Sequence, residues 1–174
     1  MASTAATSTS RAKAGAARRR QAATRAPNAI TMLKQDHEAV AELAEKYERG
    51  KNRMSAERKQ QMAQEICRML TIHATLEEEL FYPAAREQVR GLEDMLDEAE
   101  IEHESVKELI ATVENSSPDE ELYDARIKVI SEYVKHHVKE EQNEIFPKVR
   151  KSKLDLEDLG EQMQARRQEL EAET

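Results

Sequence analysis

Beyond position 28, apolar residues recur at three- and four-residue steps, the period of a helix face. Ile30, Leu33, Val40, Ala44 and Tyr47 form the first stripe, and Gly50 supplies a stop. A second helix is predicted from Ser55, a good N-cap, through Met62, Ile66, Met69, Leu70, Leu80 and Phe81, with a kink at Pro83 and an end before Gly91. Leu92, Leu96, Ala99, Val106, Ile110 and Val113 make the third. Ser116-Ser117-Pro118-Asp119-Glu120 then reads as a stop and restart, with Ser117 as N-cap and Pro118 at the first helical position. The fourth stripe is Ile127, Ile130, Val134 and Ile145, up to a second kink at Pro147. A weaker amphipathic helix, Leu154 to about Glu171, is expected to pack outside the bundle or against another chain.

Polar residues interrupt these stripes at matching places. His37 sits in the middle of the first and His103 in the middle of the third. The second carries His73 and Glu77, and the fourth His137 and Glu141, each pair four residues apart and each His ten residues before a proline. Four residues is about one helical turn, so both members of a pair leave the same helix face. Asp36-His37-Glu38 matches Glu102-His103-Glu104 at an offset of 66, and the two His-xxx-Glu-to-Pro stretches match at an offset of 64. The chain therefore reads as a duplicated helical hairpin, delivering four His and two Glu to one interior.

A lone histidine on an apolar face is usually a hydrogen-bonded core residue. Two seam glutamates change that reading, because an unpaired buried carboxylate costs several kcal/mol. Six donors in duplicated register suit two metal ions, with His37, His73, Glu77, His103, His137 and Glu141 as ligands. Imidazole with carboxylate suits Fe, Mn or Zn, and composition alone leaves the metal open. His136 lies about 100° around the helix from His137 and is assigned to the outer surface with Glu140. Asp36 and Glu102 are expected to be solvated rather than to orient imidazoles, and Cys67 to fill core.

Composition agrees with an all-helical chain. Of 174 residues, 36% are charged and 3% aromatic, and only four Gly and four Pro are present, too few for a turn-rich β domain. One cysteine makes no internal disulfide, which suits a reducing compartment. With no apolar run of membrane length and no apolar signal block at the start, a soluble, cytoplasmic protein is expected. Residues 1–27 carry six positive charges and no acid; since the whole chain is −8, the rest carries −14. That segment is read as a disordered basic tail, whose partner would be nucleic acid, an anionic surface or an acidic protein if it has one. The expected organisation is tail 1–27, metal-binding bundle 28–150 and C-terminal helix 151–174.

The pattern His37, His73-xxx-Glu77, His103, His137-xxx-Glu141, with Phe-Tyr-Pro and Ile-Phe-Pro after the pairs, resembles the hemerythrin-like, or HHE cation-binding, family over about residues 28–150. The resemblance implies an up-down-up-down four-helix bundle holding two non-haem Fe ions, bridged by the two carboxylates and an oxo or hydroxo group. It implies dioxygen as ligand, bound end-on. The oxygen carriers of that family have a further His four residues after the third-helix His, where this chain has Lys107. They also place an Asp five residues after the last His, where this chain has Glu141 after four. Both departures weigh against reversible oxygen carriage. They favour binding of dioxygen, nitric oxide or peroxide for sensing or storage, with an oxidative or nitrosative stress enzyme acting on peroxide as the alternative.

Overall fold

The computed structural model describes residues 26–173; of the basic segment, residues 1–25 lie outside the described residues. The described chain is helical throughout: α1 (Ala29–Gly50), α2 (Ala56–Leu76), α3 (Tyr82–Gln88), α4 (Glu93–Glu114), α5 (Tyr123–Glu140), α6 (Phe146–Arg150) and α7 (Leu156–Glu173). α1, α2, α4 and α5 form an up-down-up-down bundle in which each packs on the next and α5 closes onto α1.

The start signals act locally. Asn28 caps α1 by accepting from Thr31 N at 3.0 Å, and Ser55 caps α2 by accepting from Arg58 N at 3.3 Å. The turn between α3 and α4 needs Gly91, whose φ of 76° is costly for residues with a Cβ. Ser117 behaves differently from its prediction. Glu120 accepts from Ser117 N at 2.9 Å and Ser117 Oγ from Asp119 N at 3.4 Å, but this local turn does not continue as helix, and α5 begins only at Tyr123. The first residue of α5, Tyr123, is buried, and no side chain caps the helix there.

In place of the simple kinks predicted at Pro83 and Pro147, one turn before each proline is π-helical, Glu77–Phe81 and Glu141–Ile145. Proline lacks an N–H and crowds the carbonyl four residues back, and a wider turn relieves both problems. Tyr82 N accordingly bonds to Glu77 O, and Phe146 N to Glu141 O, five residues back. Each widened turn opens on a glutamate of the predicted ligand set.

The apolar core falls into two clusters. One holds Ile30, Leu33, Leu76, Phe81, Leu96 and Phe146; the other holds Val40, Tyr47, Ile66, Leu70, Ile110 and Ile127. Along each bundle helix the change from one cluster to the other falls at the histidines, so a polar layer crosses the bundle between two hydrophobic ends.

α7 docks on α1 and α2, burying Leu159, Gly160 and Met163. A Cβ at Gly160 would meet Pro27 O and come within 2.9 Å of Ala29 N, so only glycine permits this approach. Of the two predicted fates for the last helix, packing on the outside of the bundle is the one observed. No described helix is long and apolar enough to cross a membrane.

Candidate metal centre

All six seam donors meet in the polar layer, each no more than 6% exposed. His37 Nε2 lies 3.1 Å from His73 Nε2, and His103 Nε2 lies 3.2 Å from His137 Nε2. Glu77 Oε2 stands between the two pairs, 3.1 Å from His73 Nε2, 3.4 Å from His103 Nε2 and 3.9 Å from His137 Nε2. Glu141 Oε2 also touches both, 3.2 Å from His37 Nε2 and 3.6 Å from His137 Nε2. Each carboxylate thus comes from one hairpin and reaches the histidines of both.

The far side of each imidazole is held as well. His73 Nδ1 faces Asp36 at 3.5 Å, His137 Nδ1 faces Glu102 at 2.8 Å, and His103 Nδ1 faces Glu78 at 2.9 Å. Gln142 lies 3.3 Å from His37 Nδ1, and its amide can turn end for end to accept a proton there. A carboxylate on Nδ1 fixes the proton at that nitrogen and frees the Nε2 lone pair. Free lone pairs facing each other at about 3 Å repel unless a cation sits between them. Glu77 Oε1 and Glu141 Oε2 are buried without hydrogen-bond partners, the latter because its 3.2 Å approach to His37 lacks hydrogen-bond alignment. Opposed nitrogens and orphaned carboxylate oxygens are a donor set that fits metal ions.

The electrostatics of the layer agree. Burial works against a charge on His73, but Glu77 and the bond to Asp36 outweigh it and raise its pKa to about 10. His103 is likewise opposed by burial, yet Glu77 and Glu78 push it up to about 9. Burial would raise Glu77, but His73 and His103 hold it well below the usual carboxylate range.

The solvated role expected for Asp36 and Glu102 is overturned. Each orients the histidine of the following helix rather than its own neighbour, because side chains one residue apart on a helix do not face each other. Glu78 and Gln142 escaped the sequence reading, although both directly follow a seam glutamate. Tyr82 escaped it too: its hydroxyl lies 3.4 Å from Glu77 Oε2 and 3.3 Å from Glu141 Oε1, and its ring stacks on His103. Lys107 is directed to Glu78, with Nζ 2.7 and 2.6 Å from its two oxygens, not into the cluster. His136 is on the outer surface as predicted, 60% exposed, and Cys67 is buried in the core.

Beside the four rings lies a cavity of about 30 Å³ lined by Val40, Leu70, Val106, Ile110 and Val134. Such a space takes a guest of one or two heavy atoms.

The chain is similar to known proteins in two respects. The family model for the hemerythrin HHE cation binding domain matches residues 28–149. A solved hemerythrin HHE cation binding domain-containing protein, an Rv2633c homolog from Mycobacterium kansasii, superposes with a TM-score of 0.69 at 24% identity, covering 84% of this chain and 89% of that one. Comparison with curated proteins gave no match. The paired His-xxx-Glu turns, the layered bundle and the family model agree, and the chain belongs to the hemerythrin HHE cation-binding domain family.

Proposed function

We propose that the bundle holds two non-haem iron ions and binds dioxygen, nitric oxide or peroxide beside them, for sensing or storage. His37 and His73 would hold one ion, His103 and His137 the other, with Glu77 and Glu141 shared. The observation that carries this reading is the pair of carboxylates touching both histidine pairs while keeping buried oxygens without partners. Iron, when bound, supplies redox equivalents and Lewis acidity for a small ligand.

The protein's own part is selection and positioning. The apolar lining of the cavity favours small uncharged guests and excludes larger ones. Asp36, Glu78 and Glu102 keep protons on Nδ1, so the imidazoles present Nε2 inward. Lys107 neutralises Glu78 and leaves its imidazole contact intact.

A second reading, turnover of peroxide, draws on Tyr82. Its buried hydroxyl reaches both shared carboxylates, and burial together with their charges raises its pKa well above the usual value. It is therefore a donor that stays protonated beside the cluster.

Metal analysis of the anaerobically prepared chain, followed by exposure to nitric oxide or peroxide, tests both readings. Two irons per chain and stoichiometric, retained ligand support binding. Sustained loss of many peroxide equivalents per chain supports the enzyme. Zinc, or no metal, sinks the iron chemistry.

A further inference from the structure

Asp36 and Glu102 occupy matching positions of the two hairpins, and each has one side turned to an Nδ1 atom. Their other sides differ. Asp36 is met by Arg167 of α7, with Nη1 2.7 Å from Oδ1 and Nη2 against Oδ2. Ile72 and Leu76, on the same hairpin, are buried beneath that region. In the other hairpin the positions matching Ile72 and Leu76 are His136 and Glu140, which face solvent. Among the described residues, the outward oxygen of Glu102 meets no lysine or arginine. It faces the imidazole of His136.

His136 Nε2 lies 3.3 Å from Glu140 Oε1 and 3.7 Å from Glu102 Oε1, and one donor atom from each of the three falls within 4.8 Å of the others. Bonds of about 2.0–2.2 Å to a divalent ion set neighbouring ligand atoms roughly 3 Å apart. The two spacings from His136, 3.3 and 3.7 Å, are already close to that value. His136 and Glu140 lie one turn apart on α5, and Glu102 comes from α4, so the three ligands converge from two rigid helices. An exposed His–Glu pair alone contributes little to stability.

We propose that Glu102, His136 and Glu140 bind a divalent transition-metal cation at the surface, in the place that the Arg167 guanidinium fills in the other hairpin. One imidazole and two carboxylates suit Fe2+, Mn2+, Co2+ or Zn2+, with water completing the shell. Through Glu102 the surface ion stands one carboxylate away from His137. It is positioned as a first stop for metal taken up by the buried layer, a role that rests on the dinuclear reading, whereas the site itself does not.

Titration of the metal-free full chain with Co2+ or Zn2+, for the natural sequence and for a His136→Asn/Glu140→Gln double variant, tests the site. Both substituted side chains are substantially exposed, so folding should be unchanged by circular dichroism. The variant is expected to bind one equivalent fewer, with the remaining equivalents unaltered. Equal stoichiometry in the two proteins overturns the proposal. Where the natural chain binds two or more ions, loss of every equivalent in the variant also overturns it, since the trio would then act only as a prop for His137. If the natural chain binds a single ion and the variant none, the surface site stands and the dinuclear reading fails. A His136→Lys variant supplies a covalent cation instead, and it should reject the same equivalent without losing stability.

Discussion

The two hairpins share a plan and differ in how they support it. His73 and His137 are each oriented by a carboxylate from the preceding bundle helix of their own hairpin, Asp36 and Glu102. The lone histidines are supported across the hairpins: Glu78 and Tyr82 of the first serve His103, while Gln142 and Phe146 of the second serve His37. Neither hairpin therefore holds its own donors without the other. The unequal partners teach more. Where the first offers a charged Glu78 and a tyrosine hydroxyl, the second offers an amide and a bare phenyl ring, so near-identical donor pairs sit in different fields. Carboxylate partners make an imidazole a stronger donor than an amide does. The His103/His137 position, backed by two carboxylates, should hold its ion more tightly than the His37/His73 position.

The largest test removes what the hairpins share. Glu77→Ala should abolish binding at both positions, a loss beyond the roughly 100-fold typical of outer partners, since Glu77 touches histidines of both pairs. Metal content per purified chain, measured in the His136→Asn/Glu140→Gln background so that the surface trio is silent, reads it; retention of one tightly held ion there would show that the positions are independent.

Next comes the exchange of outer partners. Glu78→Gln should weaken the His103/His137 position about 10- to 100-fold, and Gln142→Glu should strengthen the other. Stepwise calorimetric titration should show the two affinities converging in either single exchange and their order reversing in the double exchange. An unchanged gap would mean that these partners do not set it.

Stability separates Asp36 from Glu102. Asp36→Asn leaves Arg167 without its ion pair in a partly buried site and should cost about 1–3 kcal/mol in metal-free unfolding. Glu102→Gln, with no arginine to strand, should cost less than about 1 kcal/mol. Equal losses would show that α7 contributes nothing through this contact.

The smallest effect lies at the far end of the bundle, where Asp124 of the second hairpin accepts from Tyr47 at 2.6 Å and from Lys59 at 2.8 Å, both of the first. Burial opposes its charge, but Lys59 and Tyr47 outweigh burial and hold its pKa below the ordinary aspartate value. A carboxyl lowered by folding adds stability that is complete above its unfolded pKa and is lost as pH falls through the folded value. Asp124→Asn should lower stability slightly at neutral pH, by less than about 1 kcal/mol, and flatten that part of the acid unfolding curve, the two proteins converging at low pH.

Much of this arrangement was legible in the chain. The helix stripes, the cap at Ser55, the duplication and the six seam donors were legible because a helix converts spacing directly into a shared face. Gly50, by contrast, ends α1 without the left-handed cap expected of it, and the chain runs on into a 3-10 turn over Lys51–Arg53. Ser117 was misread since a local capping turn forms whether or not a helix follows it. Asp36 and Glu102 were misread since spacing tells which way a side chain leaves its helix but not what meets it there.

By itself, the sequence determined the bundle, the polar layer and the donors within it, all of which depend on contacts one or two turns apart. Only the tertiary structure decided that Asp36 serves His73, that Lys107 binds Glu78, that Tyr82 reaches both carboxylates, and that Arg167 covers one hairpin while His136 stays open on the other. Those pairings join residues as many as 131 positions apart. They depend on the angles and heights at which the helices pack, and no local pattern encodes those.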